Sequence, residues 1–174
     1  MGPAGAGKTR LLDEALLEIG LRGAVIARAT GRGFAGAAYE VLQDLIAPLL
    51  HLPAAEAVLA RIGGEVALGP ACPNSAGDEA LANPDPVAAR RALHLAFATF
   101  LDGISKHRMI VLAIDDIHMS DAASLDALAG LPAAGIYGNI AIVATQRADE
   151  PVSLSLARLL TNARPLAIDR MYGK

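Results

Sequence analysis

Apolar residues recur along the chain with two different spacings. A return every three or four positions, which is typical of helices with one buried face, is found in six stretches: residues 8–19, 39–50, 53–62, 87–106, 121–131 and 152–160. Shorter runs that are apolar or β-prone at nearly every position predict strands: residues 24–28, 109–114, 139–145 and 165–168. Strands and helices that alternate in this way favour an α/β domain with a parallel sheet and helices on both faces.

One stretch breaks the pattern. Residues 63–86 are rich in glycine and proline, and this composition predicts an irregular surface insertion within a single domain that spans residues 1–174. Gly20 and Pro132 are plausible stops for the helices that precede them, and Ser120 or Asp121 is a candidate cap for the helix through Leu131.

Composition narrows the classes of function. With 53% hydrophobic and 19% charged residues the chain is globular, and a net charge of −3 without a Lys/Arg run does not support direct nucleic-acid binding. The single cysteine, Cys72, makes neither an internal disulfide nor a zinc site on its own. No apolar run approaches about 18 residues, so we expect no membrane span. A glycine-rich loop follows Met1 at once, which leaves no signal peptide, and we expect a cytoplasmic location.

The first nine residues carry the clearest chemistry. Residues 2–9 read GPAGAGKT and match G-x-x-x-x-G-K-[ST], the Walker A motif or P-loop. Its glycines permit a tight turn that brings backbone N–H groups to phosphate oxygens, and the helix behind it directs its positive end toward the anion. Lys8 is expected to reach the β- and γ-phosphates, and the Thr9 hydroxyl to bind Mg²⁺. We therefore expect the whole loop to bind ATP: Gly2, Pro3, Ala4, Gly5, Ala6, Gly7, Lys8 and Thr9.

Two carboxylates follow the apolar run MIVLAI. The carboxyl ends of parallel strands are where open α/β sheets bind ligands, and Asp115 is our candidate to hold Mg²⁺ there. Asp116 is the candidate catalytic residue that orients or deprotonates the attacking water. The alternative is that Asp116 only caps the following turn, and many P-loop ATPases use Glu for the catalytic task.

Polar residues also end the next strand candidate. Thr145, Gln146 and Arg147 are placed to sense a γ-phosphate, and Arg147 is a candidate catalytic residue that compensates transition-state charge. An ion pair of Arg147 with Asp149 or Glu150 is the equally weighted alternative. A single histidine near a surface turn, such as His118, is more often structural than catalytic.

The motifs GPAGAGKT, IDDIHMSD followed by SLDAL, and IVATQRADE together resemble the ATPase domain of AAA-related signal-transduction ATPases of the STAND class. The nearest branch is that of the large ATP-binding LuxR-type transcriptional regulators of bacteria, which typically show Asp-Asp-Leu-His-Trp-Ala-Asp and Ala-Thr-x-Arg elements. Five residues match this pattern: Asp115, Asp116, His118, Asp121 and Arg147. Three differ, since Ile117, Met119 and Ser120 stand where the branch has Leu, Trp and Ala.

The resemblance extends over nearly the whole chain and implies a function. Such domains act as nucleotide-dependent switches that cycle slowly between ADP- and ATP-bound forms and control self-association. In full-length relatives further helical domains follow, often with a helix-turn-helix DNA-binding domain. The fold implied is the three-layer P-loop NTPase sheet.

The resemblance also exposes a departure at the amino terminus. A P-loop normally follows a central apolar strand of about five residues, whereas only Met1 precedes Gly2. We expect this first strand to be missing, through truncation or a start assigned too late, although another segment or chain is an alternative source. Its place would lie between the strand ending at Thr145 and the one near Leu166. The motif is then expected to be intact and its affinity lowered, because the loop is tethered from one side only.

Three functions compete at this stage. The first is an ATP-binding switch with slow hydrolysis, based on the P-loop and on Asp115 and Asp116. The second is an interaction module that binds nucleotide without turnover, favoured by an Asp at position 116 where Glu is common. The third is a non-functional fragment of such a regulator. GTP specificity is disfavoured, because no Asn-Lys-x-Asp element is present.

Overall fold

The computed structural model describes residues 1–3, 5–33, 37–73, 85–135 and 139–168. Its helices and strands follow in the order α1 (Lys8–Leu21), β1 (Val25–Thr30), α2 (Glu40–Leu49), α3 (Ala55–Ile62), α4 (Pro86–Ser105), β2 (Ile110–Asp115), α5 (Ala122–Ala129), β3 (Ile140–Ala144) and α6 (Leu154–Leu160). Among these described residues, two 3₁₀ helices lie between them, Glu65–Ala71 and Ile117–Met119. The predicted α/β fold is confirmed, and the predicted boundaries differ from these by at most two residues.

The three strands form one parallel sheet in the order β1-β2-β3. All six residues of β2 are buried, as expected for a central strand built from a continuous apolar run. In register, Ile110 lies opposite Val25 on one side and Ile140 on the other. The acidic end of β2 therefore lies level with the ends of both neighbours.

Helices cover the sheet on both faces. On one face, Leu12 and Leu16 of α1 pack against Val111 and Ala113 of β2. On the other face, the alternate β2 side chains enter the main core with residues of the other helices, which include Leu42, Leu45, Ile46, Phe97, Phe100, Leu101, Leu125 and Leu156. This arrangement is the three-layer order expected of a P-loop NTPase sheet. In the described ranges no helix is both long enough and apolar enough to cross a membrane.

The first two residues of the chain already lie in the sheet. Gly2 forms a parallel bridge with Arg147, just beyond β3, in which its N–H donates to the Gln146 carbonyl. On the other side, Met1 donates to the Leu166 carbonyl at 2.6 Å and accepts from the N–H of Ile168 at 2.8 Å. Met1 and Gly2 thus lie between β3 and residues 165–168, at the position expected for the end of the P-loop strand. The predicted strand at 165–168 is wrong: these residues form no regular strand, because among the described residues only Met1 pairs with their backbone.

The predicted surface insertion at residues 63–86 is not all surface. Its first part forms the 3₁₀ helix Glu65–Ala71, whose Leu68 and Ala71 are fully buried against the main core. Cys72 behind it is buried as well. The backbone is kinked between these two residues, at Gly69 with φ 49° and ψ −134°, so no helical spacing in the sequence indicated that both would be buried. Residues 74–84 of the predicted insertion lie outside the described residues.

Candidate functional site

The P-loop turns directly into α1, as the motif requires. Gly5 and Gly7 adopt φ values of 75° and 80°, in the left-handed region that glycine enters without the strain of a side chain. Helix α1 begins at Lys8, and Gly7 at its N-cap offers no side-chain cap. The free N–H groups of the first helical turn are therefore available to an anion. Ala4, also expected to bind phosphate, lies outside the described residues.

Backbone carbonyls of the P-loop hold the Lys8 side chain. Its side chain folds back so that Nζ donates to the Gly2 carbonyl at 2.9 Å and to the Pro3 carbonyl at 2.7 Å. The residue is only 8% exposed. Because an ammonium has three N–H donors, these two bonds fix the charge inside the loop and leave one donor for a phosphate oxygen.

The loop forms one wall of a cavity of about 320 Å³. Its lining consists of Gly5, Ala6, Gly7, Lys8, Thr9, Arg10, Asp116 and Arg147. The structure thus brings together the P-loop and both predicted catalytic residues, although Asp116 and Arg147 follow different strands. Three of the lining side chains are cationic and one is anionic, which suits a polyphosphate ligand.

Asp115 lies at the end of β2 but is not part of this lining. It is 7% exposed, and its Oδ1 accepts a very short hydrogen bond from the Thr145 hydroxyl. The same Thr145 oxygen accepts a bond from the Asp116 N–H at 2.9 Å. One buried hydroxyl at the end of β3 therefore fixes the side chain of one Asp and the backbone of the next.

Asp116 has a left-handed backbone, with φ 49° and ψ 51°. Asp tolerates this conformation better than most residues, and the turn directs its side chain into the cavity rather than into the core. Its carboxylate accepts no capping hydrogen bond from the following 3₁₀ helix, so the alternative role of a turn cap is not observed.

Close backbone packing holds this turn in place. Gly31, just after β1, donates to the Asp115 carbonyl at 2.9 Å. A Cβ added at Gly31 would lie 2.4 Å from the Asp116 carbonyl oxygen, closer than any side chain allows. Glycine is therefore needed here because two backbones meet at the acidic turn.

Arg28, in the middle of β1, is a charged partner that the sequence analysis missed. Its guanidinium lies 2.5 Å from Asp13 of α1 and 3.8 Å from Oδ2 of Asp115. The available signal was an arginine within the otherwise uncharged strand VIARAT. Arg10, which lines the cavity, was also missed, and its signal was its place in the first turn of α1.

His118 and Asp121 follow the two aspartates in the same motif, and their contacts are with other parts of the fold. The His118 side chain is 3% exposed and its Nδ1 lies 4.0 Å from Asp116 Oδ1, but it does not line the cavity. Asp121, rather than Ser120, caps α5 by accepting from the Ser124 N–H. Its two oxygens also accept from the N–H groups of Tyr39 and Val41.

Arg147 lies between the two partners that its alternative roles require. It lines the cavity, and its guanidinium also lies 4.0 Å from Glu150. That distance is too long for a hydrogen bond, and the side chain is 42% exposed. The contact with Glu150 is therefore a loose surface pair that leaves the guanidinium free to turn toward a ligand.

The donor set suits a magnesium–nucleotide complex. Described residues contain no cluster of three or more His, Cys, Asp or Glu side chains that would hold a metal ion alone. Mg²⁺ in nucleotide sites commonly takes only one or two protein ligands and completes its shell with phosphates and water. The Thr9 hydroxyl and the carboxylates at the end of β2 are oxygen donors of this kind, so the residues fit such an ion.

Comparison with known proteins identifies a family. Residues 1–143 match the family described as AAA ATPase domain. No curated protein and no solved structure matches the chain. The matched segment contains the P-loop, both aspartates and most of β3.

Proposed function

Because the chain belongs to the AAA ATPase domain family, we propose that it binds ATP with Mg²⁺ at the P-loop cavity and hydrolyses it slowly. The observation that carries the proposal is the convergence of the loop, Asp116 and Arg147 on one cavity. A random glycine-rich segment has no reason to meet an acidic strand end and an arginine from a third segment. Backbone N–H groups, Lys8 and the start of α1 supply the phosphate contacts.

The role that we propose for each residue follows from its position at the cavity. Mg²⁺, bound to Thr9 and to Asp115 directly or through water, would neutralise charge on the phosphates. Asp116 holds the attacking water and accepts its proton as the water oxygen bonds to the γ-phosphorus. The bond between that phosphorus and the β–γ bridging oxygen breaks, which releases ADP and phosphate. Arg147 stabilises the charge that develops on the transferred group.

A lysine substitution tests the binding site. Lys8→Ala removes the buried ammonium, and we expect it to weaken binding of MgATP by about 100-fold or more, since charged hydrogen bonds contribute about 1.5–3 kcal/mol each. Lys106→Ala is the matched control, because Lys106 is exposed and pairs only loosely with Asp102 at 3.7 Å. Calorimetric titration measures both. Equal affinity in Lys8→Ala and wild type would refute the proposal.

A second substitution separates hydrolysis from binding alone. Asp116→Asn keeps the shape of the side chain and removes the base, so we expect phosphate release to fall by about 100-fold while the affinity for MgATP changes little. Arg147→Ala is expected to lower turnover in the same assay. A wild type that binds ATP and releases no phosphate would support the interaction module instead.

We further propose that the domain is the nucleotide switch of a cytoplasmic bacterial signalling or transcriptional regulator of the LuxR-type STAND class. Support comes from Asp115, Asp116, His118, Asp121 and Arg147, which match that pattern. Such a switch predicts self-association that differs between the ADP- and ATP-bound forms. Sedimentation velocity with each nucleotide measures it, and identical profiles would contradict the switch. An upward shift of the melting temperature with ATP would exclude an inert fragment.

A further inference from the structure

Arg28 lies between two carboxylates that come from different elements. Its Nη1 donates to Oδ1 of Asp13, in the second turn of α1, at 2.5 Å. Its Nη2 lies 3.8 Å from Oδ2 of Asp115, at the end of β2. The first contact is a hydrogen bond, whereas the second is too long for one. The guanidinium is therefore shared unequally, and its short bond goes to the carboxylate that lies outside the proposed metal site.

The sheet and α1 explain why these three side chains meet. Side chains on one face of a sheet recur at every second residue, so Asp115 shares with Ala113 the face that α1 covers. Arg28 is the register partner of Ala113, and its side chain projects on the same face. Among the described strands β1 lies at the edge of the sheet, where a charged side chain that is 44% exposed is tolerated.

The two oxygens of Asp115 differ in their partners. Oδ1 accepts from the Thr145 hydroxyl, whereas the nearest cation to Oδ2 in the described ranges is Arg28, beyond hydrogen-bonding distance. Oδ2 is therefore the oxygen that a magnesium ion, or a water bound to it, would use. A guanidinium and Mg²⁺ are both cations that bind the lone pairs of a carboxylate oxygen. A closer approach of Arg28 to Oδ2 thus weakens the metal site.

Asp13 keeps Arg28 from making that approach. The side chain of Asp115 is 10% exposed and that of Asp13 is 49% exposed, so water screens the attraction of Arg28 to Asp115 less. A guanidinium that is released from other partners forms bidentate bonds with a carboxylate, and a shift of about 1 Å would bring Nη2 to hydrogen-bonding distance of Oδ2. The bond to Asp13 opposes this shift.

We propose that Asp13 and Arg28 are positioning residues that set the magnesium affinity of Asp115: Asp13 holds the guanidinium away from Oδ2 and so leaves that oxygen to the metal. The inference rests on the proposed binding of MgATP. Neither residue lines the P-loop cavity, so both act on the metal through Asp115 and not on the phosphates.

The test measures ATP affinity by calorimetry, once with excess Mg²⁺ and once in EDTA, and the ratio of the two affinities reports the contribution of the metal. In Asp13→Asn the guanidinium is expected to turn to Asp115, and the ratio to fall by about threefold to fivefold, the range of a partly exposed ion pair. Arg28→Gln removes the competing cation, so its ratio should rise by a similar factor. The affinity in EDTA should be the same in both variants, because the P-loop contacts are unchanged.

A double variant separates this mechanism from a general effect of charge. If Asp13 acts only through Arg28, the variant with both Asp13→Asn and Arg28→Gln has the ratio of Arg28→Gln alone. If the double variant keeps the loss seen in Asp13→Asn, the carboxylate acts on the metal by itself and the proposal is wrong. Asp13→Glu keeps the carboxylate and should restore the ratio of the wild type.

The matched control is Glu18→Gln. Glu18 forms the same kind of pair with Arg22, at 2.8 Å, but lies about 15 Å along α1 from Lys8. This variant should leave the ratio unchanged. A fall as large as that of Asp13→Asn would show that any acidic residue of α1 has the effect, and would overturn the proposal.

A second measurement needs neither nucleotide nor metal. A double-mutant cycle with Arg28→Gln and Asp115→Asn gives the coupling between these two residues in the free energy of unfolding. We expect this coupling to be at least about twice as large when Asp13→Asn is present in all four proteins, because the guanidinium then has Asp115 as its remaining partner. An equal coupling with and without Asp13 would contradict the proposal.

Failure of this inference and failure of the proposed function give different results. If the wild type binds ATP more tightly with Mg²⁺ and all variants share its ratio, the proposed function stands and the role of Asp13 and Arg28 is refuted. If the wild type binds no ATP, or binds it equally with and without Mg²⁺, the magnesium site itself is refuted and the inference falls with it.

Discussion

At the residue scale, a single hydroxyl connects the two carboxylates of the acidic turn. Thr145 donates to Asp115 and accepts from the backbone of Asp116, and it is only 7% exposed. Its oxygen therefore fixes the aspartate proposed for the metal and the backbone that directs the proposed base. The position of the turn depends on this threonine as much as on the aspartates themselves.

Thr145→Val is nearly isosteric and removes this oxygen. We expect the free energy of unfolding to fall by about 1–3 kcal/mol, because the Asp116 N–H is left buried without a partner, and MgATP turnover to fall with it. Urea denaturation and a phosphate-release assay measure the two effects. Thr145→Ser keeps the hydroxyl and should stay within about 1 kcal/mol of wild type. A valine variant as stable and active as the serine variant would contradict this role.

Individual site residues were predictable where spacing carried the information. The P-loop and Asp116 could be located because their motifs are contiguous in sequence. Asp116 and residues 5–9 of the loop line the cavity, whereas Gly2 and Pro3, which were also expected to bind ATP, do not. Arg28 could not be predicted, because its ion pair with Asp115 depends on the register between β1 and β2 and on the reach of a long side chain. Asp115 stays a predicted metal ligand, with both of its oxygens near protein partners in the structure.

At the scale of elements, one carboxylate holds the ends of two helices. Asp121 caps α5 through Ser124 and also accepts from the N–H groups of Tyr39 and Val41 where α2 begins. Tyr39 has a φ of 67°, which is strained for a non-glycine residue. Asp121 thus joins α2 and α5 across 80 residues of sequence, and its place in the acidic motif has a structural reason.

Asp121→Ala tests this double cap. We expect a loss of about 2–4 kcal/mol in the free energy of unfolding, since one helix cap contributes about 0.5–2 kcal/mol and two helix ends lose their partner. Ser153→Ala is the matched control, because Ser153 caps α6 alone through Leu156 and should lose only about 1 kcal/mol. Denaturant unfolding of both variants gives the comparison, and equal losses would show that Asp121 supports one helix only.

Elements were easier to predict than the contacts between them. Apolar spacing located each α-helix and strand of the structure within two residues, but it also predicted a strand at residues 165–168 that does not form. The 3₁₀ helix Glu65–Ala71 was not predicted, because two apolar side chains in a glycine-rich stretch give too short a pattern. Its burial is decided by α2 and α4, which are distant in sequence.

At the scale of the whole molecule, burial of His94 makes the stability of the fold depend on pH. His94 of α4 has a buried Nε2 without a hydrogen-bond partner among the described residues. Burial, helped by the nearby Arg90 cation, lowers the pKa of His94 below its ordinary value, and Asp126 opposes this only in part. The unfolded chain therefore takes up the proton first as the pH falls.

The pH dependence of stability follows from the lowered pKa of His94 in the folded state. Below about pH 6.5 the unfolded state binds more protons at this position, so the free energy of unfolding decreases as the pH falls toward the lowered pKa of the folded state. In His94→Gln this contribution is absent, and we expect a smaller loss between pH 7.5 and 5.5. Urea denaturation of wild type and His94→Gln across this range measures the difference. The other histidines are present in both proteins, so their contributions cancel. Parallel curves for the two proteins would contradict the prediction.

The order of the sheet determines where the P-loop begins. Because Met1 and Gly2 lie between β3 and residues 165–168, the loop starts beside the end of β3 and reaches the cavity near Asp116. This adjacency follows from topology, and the sequence indicated it only through the expected position of the P-loop strand.

The most direct measurement of the central claim is a titration of the ¹⁵N-labelled protein with MgATP, followed by the amide resonances. We predict saturable shifts at Gly5, Gly7, Lys8 and Thr9, whose N–H groups line the proposed phosphate site, and none at Lys106. The Lys8→Ala variant should lose the shifts at the remaining loop residues over the same range of concentration. Absent shifts, or shifts confined to residues away from the loop and from Asp116, would contradict the account.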